Sequence, residues 1–113
     1  MSVKNTVKAI NASSVAATSF TGSFQLLTPA SGLAQPCFLL RIINNSSKDL
    51  FVSYDGINIH DFINHGGEWL LMTQVNSRPG SQVALMPKGQ LIYILGDVGG
   101  TGDVYLTGYY QSN

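Results

Sequence analysis

Hydrophobic and polar residues alternate along much of this chain, and the alternation has the two-residue period of β-strands. Within residues 15–26 one parity holds Phe20, Phe24 and Leu26, while the other holds Ser19, Thr21, Ser23 and Gln25, which predicts a first long strand. Thr28-Pro29-Ala30-Ser31-Gly32 breaks it, and Pro36 opens the next strand at a position where a missing N–H is tolerated. Residues 37–43 are apolar on both parities except for Arg41. That predicts a central strand covered on both faces, with Arg41 in need of a partner. Asn44-Asn45-Ser46-Ser47 reads as a turn, because short polar side chains bond back to the main chain and Asn tolerates positive φ. A strand over 50–54 follows, then Asp55-Gly56, the strongest two-residue hairpin signal in the chain, which favours a type I′ turn and makes 57–63 the partner strand.

The same grammar continues to the end. His65-Gly66-Gly67 reverses the chain into a strand over 68–74, and Asn76-Ser77-Arg78-Pro79-Gly80 turns it into another over 81–86. Pro87-Lys88-Gly89 leads to a strand over 90–95, rich in β-branched and aromatic residues. A glycine-rich connection over 96–102 precedes the last strand, 103–111. No segment sustains a helical apolar stripe, and no internal repeat has a fixed period. Eight to nine short strands joined by short turns predict an all-β chain: a single-domain antiparallel β-sandwich or jelly roll, with a small closed barrel as the alternative. The Ala-, Ser- and Thr-rich start divides the chain into an N-terminal arm, 1–14, and a sandwich domain, 15–113.

Composition sharpens this picture. At 113 residues the chain suffices for one core. Apolar residues make up 44% and charged residues only 11%, against a usual charged fraction of about 25%. Neutral polar groups therefore carry solubility, and they suit β surfaces that pack on neighbours, since desolvating a hydroxyl or amide costs far less than desolvating an unpaired ion. Six basic and six acidic residues cancel without clustering. Nucleic acid, which normally calls for a basic stripe, is not expected as a partner. Leu91-Ile92-Tyr93-Ile94-Leu95, the longest clean apolar run, is too short to span a bilayer, so no membrane partner is expected. The first ten residues carry Lys4 and Lys8 without a following apolar segment, which does not read as a secretory signal and predicts assembly in a host cytoplasm.

Candidate chemistry is sparse. Cys37 is the only cysteine, which leaves no second thiol for a disulfide, a zinc site or a redox pair and predicts a small core residue. His60, Asp61, His65 and Glu68 bring imidazole and carboxylate groups within nine residues. Their spacing departs from the zinc helix pattern, in which His recurs at i and i+4. Gly96, Gly99, Gly100 and Gly102 lack the strand–helix context of a phosphate cradle. Asn11-Ala12-Ser13 and Asn45-Ser46-Ser47 match the glycosylation pattern, but without a secretory signal they carry no meaning. No serine sits in a Gly-x-Ser-x-Gly elbow. The expectation is a non-enzymatic domain with no metal and no cofactor. Trp69, Tyr109 and Tyr110 are aromatics with a polar handle, fit for a protein interface or for stacking a sugar, and equally for a core position with the polar tip at the rim.

Arg41-Ile42-Ile43-Asn44-Asn45-Ser46-Ser47, Phe51-Val52-Ser53-Tyr54-Asp55-Gly56, His60-Asp61-Phe62-Ile63, Gly66-Gly67, Pro87-Lys88-Gly89 and the closing Gly102-Asp103-Val104-Tyr105-Leu106-Thr107-Gly108-Tyr109-Tyr110 together resemble small virion structural proteins of tailed bacteriophages. The resemblance lies in turn order and strand length over about residues 36–111. It implies a β-sandwich held in many copies on the virion, as a capsid-decorating or cement protein, or as a head–tail component. The partners it implies are copies of the chain itself, the major capsid protein or other virion proteins. A sandwich of short strands also has edges that must be blunted or paired, and a chain with few lysines is expected to pair them with sister subunits. The arm is expected to lie along such a neighbour. A second reading is a carbohydrate-binding module of a virion fibre or a lectin-like protein, with Trp69, Tyr109 and Tyr110 stacking the sugar. A third and weaker one is an enzyme using His60, Asp61 and Glu68.

Overall fold

In the computed structural model, which describes residues 6–72 and 86–112, strand β4 (Leu39–Ser46) shows how the alternation becomes architecture. Leu40, Ile42, Asn44 and Ser46 are buried, whereas Leu39, Arg41 and Ile43 are half-buried and Asn45 is exposed. One face of the strand meets the core and the other looks outward. Around it stand β1 (Thr6–Ala9), β2 (Ser13–Ala16), β3 (Gln25–Leu26), β5 (Leu50–Ser53), β6 (Asp61–Ile63), β7 (Glu68–Met72), β8 (Tyr93–Leu95) and β9 (Gly102–Ser112). The described residues thus form nine strands in two antiparallel sheets, the all-β sandwich that the sequence predicts.

The larger sheet runs β1-β9-β4-β7, and β2 joins β1 along the same edge of β9. β1 pairs Ala9 with Tyr109, while β2 pairs Ser13 with Leu106 and Ala16 with Asp103. Residues 6–9 and 13–16 of the N-terminal region therefore make their ladder bonds within the chain. The smaller sheet runs β3-β8-β5-β6. Leu40, Ile42, Val104 and Leu106 from the first sheet meet Leu50, Val52, Ile63 and Ile94 from the second in one buried cluster. Each such side chain contributes about 1.5–3 kcal/mol by leaving water. Cys37 lies in this core as a fully buried residue, and burial pushes its thiol pKa up.

Five local expectations need correction. The long strand over 15–26 is two short ones in different sheets, because Ser19 Oγ donates to the Ala16 carbonyl at 2.6 Å and a 3₁₀ turn at Ala17–Ser19 carries the chain across the core. The turn expected at 44–47 starts later. Asn44 and Ser46 continue β4 with their side chains inward, since the surrounding carbonyls satisfy the Asn44 amide. Nor does Asp55-Gly56 make a two-residue turn. Residues 54–60 form a longer loop in which Asp55 Oδ1 accepts from the backbone N–H groups of Ile57 and Asn58, both at 2.8 Å, so the partner strand begins only at Asp61. Finally, β4 is central but not covered on both faces, and β8 is shorter than the expected 90–95. The turn at 76–80 and most of the strand at 81–86 fall outside the described residues, except that Met86 bridges to Cys37.

Candidate functional site

Each sheet has an outer face that exposes apolar groups: Val7, Leu70 and Tyr109 on the larger sheet and Phe62 on the smaller. On the larger sheet the register places side chains in cross-strand rows. Ala9, Tyr109 and Leu39 share one row. Thr107, Arg41 and Leu70 make the next, then Ser14, Tyr105, Ile43 and Glu68, and lastly Ala16, Asp103 and Asn45. Leu70 is 48% exposed, Tyr109 39% and Val7, at the end of the same face, 58%. Arg41 sits in the middle. Its Nε lies 3.8 Å from Glu68 Oε2, is itself shielded from solvent, and has no hydrogen-bond partner among the described residues.

The smaller sheet carries an open concavity of about 360 Å³. Phe51 and Phe62, directly paired across β5 and β6, form its floor with ring centroids 5.3 Å apart, and Leu95 extends the floor from β8. Lys48, Asp49, His65 and Asp97 stand around it. Asn44 builds two of these walls. Its amide donates to the carbonyls of Lys48 at 2.9 Å, Ile63 at 3.3 Å and Asn64 at 3.2 Å, tying the turn after β4 to the turn after β6. His65 then closes on Asp49, whose Oδ1 accepts from the His65 backbone N–H at 2.9 Å and lies 2.8 Å from Nδ1. Those hydrogen bonds hold the Asp49 carboxyl below its usual pKa. As an ionised carboxylate can only accept, Nδ1 carries the proton of that bond.

Of the residues singled out in the sequence, the fold gathers Trp69, His60 and Asp61 around Tyr54 and sends the others elsewhere. Trp69 turns toward the core side of β7 and packs against Tyr54, ring centroids 6.2 Å apart. Tyr109 lies on the outer face of the larger sheet, and Tyr110, next to it on β9, follows the opposite parity. His60 stacks on Tyr54 at 5.3 Å and accepts the Tyr54 backbone N–H through Nδ1, while Asp61 accepts from the Tyr54 hydroxyl at 2.8 Å. His65 belongs to Asp49 and Glu68 to Arg41. Among the described residues no group of three or more His, Cys, Asp or Glu converges as a metal site would require. Phe51, Phe62 and Leu95 were not marked by the sequence. Their signal is an apolar residue on the parity opposite to the core, shared by the neighbouring strands β5 and β6 and by β8 some thirty positions on.

The loop at 54–60 presents Ile57 and Ile59 to solvent, 79% and 56% exposed. Asp55 ties its backbone together through the Ile57 and Asn58 amides. Hydrogen bonds from the Asn58 and Ile57 backbone and from the Asn58 amide hold this carboxyl well below the usual carboxylate range. Because the folded-state pKa is depressed, the contribution of Asp55 is present above the unfolded value, about 3.9, and fades as pH falls through the folded one. The Ile57 and Asn58 amides are therefore expected to stay protected from exchange at pH 4, and to lose protection in Asp55→Ala at neutral pH. Amide exchange by NMR reads this, and equal exchange in the two proteins would show that Asp55 does not hold the loop.

No protein-family model and no curated protein matches the chain. Among solved structures, a similar chain is Dit (gp 19.1) of phage SPP1, described as a paradigm of the hub adsorption apparatus in phages that infect Gram-positive bacteria. The alignment has a TM-score of 0.43 and 10% identity, and covers 92% of this chain and 49% of that one. This chain thus spans about half the length of that protein. A likeness of this size assigns no family.

Proposed function

We propose that this chain is a non-enzymatic structural protein of a bacteriophage virion, one that decorates or stabilises the capsid and joins copies of itself through the outer face of the larger sheet. The observation that carries the reading is that face, with Leu70, Tyr109 and Val7 exposed around a half-buried Arg41. Its charges complement themselves. Arg41 and Glu68 lie one row apart, so a two-fold axis between those rows sets Arg41 of each copy over Glu68 of the other. Four strand positions and four rows give a footprint on the order of 500 Å² per copy, or about 1,000 Å² for the pair, the lower bound for a specific interface. The virion assignment rests on the resemblance of residues 36–111 to small virion structural proteins of tailed bacteriophages. The non-enzymatic part is supported by the partners of these groups: Tyr54 holds His60 and Asp61, Asp49 holds His65, and Arg41 holds Glu68.

Light scattering after size exclusion tests the assembly. The expected mass is a multiple of 12.1 kDa. Leu70→Asp and Tyr109→Asp, both at exposed positions, are each expected to weaken association roughly ten-fold or more by burying a charge in the contact. A chain that remains monomeric at about 100 µM overturns the reading. Capsid decoration and a head–tail position differ in copy number. Mass spectrometry of purified particles is expected to show one copy per shell subunit or per few of them, whereas a small ring would indicate the head–tail connection.

A further inference from the structure

We propose that the concavity on the smaller sheet binds a neutral saccharide, with Phe51 and Phe62 as the stacking floor and Lys48, Asp49, His65 and Asp97 as the hydrogen-bonding rim. This inference does not depend on how copies of the chain assemble, because the site lies on the other sheet.

Its volume, about 360 Å³, falls in the range of small-ligand sites, about 300–1,000 Å³. The floor is aromatic and reachable. Phe62 is 51% exposed, so a ligand covers ring surface that is otherwise in water. A sugar ring suits such a floor, since one of its faces is a patch of C–H groups while its edge carries hydroxyls that each donate and accept. The rim offers both functions. Lys48 only donates, Asp49 and Asp97 accept, and His65 contributes a ring nitrogen. Both bonds from His65 fall on Asp49 Oδ1, which leaves Oδ2 to receive ligand hydroxyls, and Nε2 is the ring nitrogen left for the ligand.

Charge selects among ligands. Two carboxylates, Asp49 and Asp97, stand beside the cation Lys48, and they disfavour phosphate, sulfate and acidic peptides. A wholly apolar ligand would leave the rim groups desolvated and unpaired. What fits is a polyhydroxylated, uncharged ring. The site is also built before binding. Asn44 fixes both turns of the rim, and Ser47 ties the first of them to Thr101 through bonds of 2.9 and 3.0 Å, so little ordering opposes binding.

Saturation-transfer NMR on the full chain with glucose, galactose, N-acetylglucosamine and their β-linked disaccharides tests the proposal. Transfer from aromatic protons to sugar ring C–H groups is expected for at least one of them, with a Kd in the millimolar range or tighter. Phe62→Ala removes an exposed ring and is expected to weaken binding roughly ten-fold or more. Asp97→Asn keeps the floor and is also expected to weaken it, while Leu70→Asp on the opposite sheet leaves binding unchanged. Absence of transfer from every sugar overturns the proposal, as does transfer indifferent to both Phe62→Ala and Asp97→Asn. If no sugar binds and Phe62→Ala instead lowers the mass in light scattering, the concavity is a protein contact and the saccharide assignment is wrong.

Discussion

Replacing Asn44 by leucine is expected to lower the stability of this protein by about 3–5 kcal/mol. Asn44 is fully buried. Its amide serves three carbonyls, those of Lys48, Ile63 and Asn64, and its Oδ1 accepts from the backbone N–H of Ser46 at 3.2 Å and from the Ser46 hydroxyl. Leucine has similar bulk but returns none of these bonds. Each buried group left without a partner costs about 1–3 kcal/mol, although two of the carbonyls keep a second donor, Lys48 the Ser46 hydroxyl and Asn64 the Gly67 backbone N–H at 2.9 Å. Against a total stability of about 5–15 kcal/mol this is a large share. The midpoint of thermal unfolding should fall on the order of 10–20 °C. Asn44→Asp is expected to be as damaging, because it keeps the size and loses the donors. A loss below about 1 kcal/mol in denaturant titration would mean that water replaces the amide and that the turns around the concavity are held by something else.

Gly102→Ala is expected to destabilise by about 2–4 kcal/mol, for a reason that concerns backbone alone. Gly102 opens β9 at φ +87°, where an L-residue is strained. A Cβ there would also collide with the carbonyl oxygen of Asn45 and lie 3.1 Å from Ser46 Cα, and these atoms belong to the β4 ladder that Gly102 itself pairs with. Backbone in a ladder has no rotamer with which to move aside. Gly99 supplies the control. It has φ +85° but open space around its missing side chain, so Gly99→Ala bears only the conformational part, about 1–2 kcal/mol. The difference between the two variants measures the collision. Equal losses would show that β4 and β9 separate there without penalty.

These two residues also mark where local reading of the sequence works and where it stops. The antiparallel sandwich was legible because a period of two and recurrent turn residues act over a few positions. Leu50 and Val52 point inward, and Pro87-Lys88-Gly89 turns with Gln90 donating to the Pro87 carbonyl, for reasons contained in their own neighbourhoods. The misreadings share a cause. Asn44, Ser46 and Ser19 have short polar side chains that favour turns when the backbone is their only partner. For Asn44 the decisive partners are the carbonyls of residues 63 and 64, about twenty positions further on. Asp55 misled in the other direction, signalling a tight turn while capturing two amides to make a longer loop.

The candidate sites were less legible than the fold. Trp69, Tyr109 and Tyr110 stand out in a sequence because they are large and amphipathic, yet register separates them: Trp69 packs on the core side of β7, Tyr109 lies on the outer face, and Tyr110 takes the opposite parity of β9. Phe51, Phe62 and Leu95 look like ordinary strand residues until β5, β6 and β8 pair and set them side by side.

The sequence by itself determined the strand-and-turn grammar, the sparing use of charge and the core parity of most strands, since each is a property of neighbouring residues and of composition. Only the tertiary structure decided which outward-facing side chains meet. Strand order and register join residues tens of positions apart, and it is those long-range pairings that raise Arg41 among apolar neighbours on one sheet and assemble an aromatic floor with a polar rim on the other.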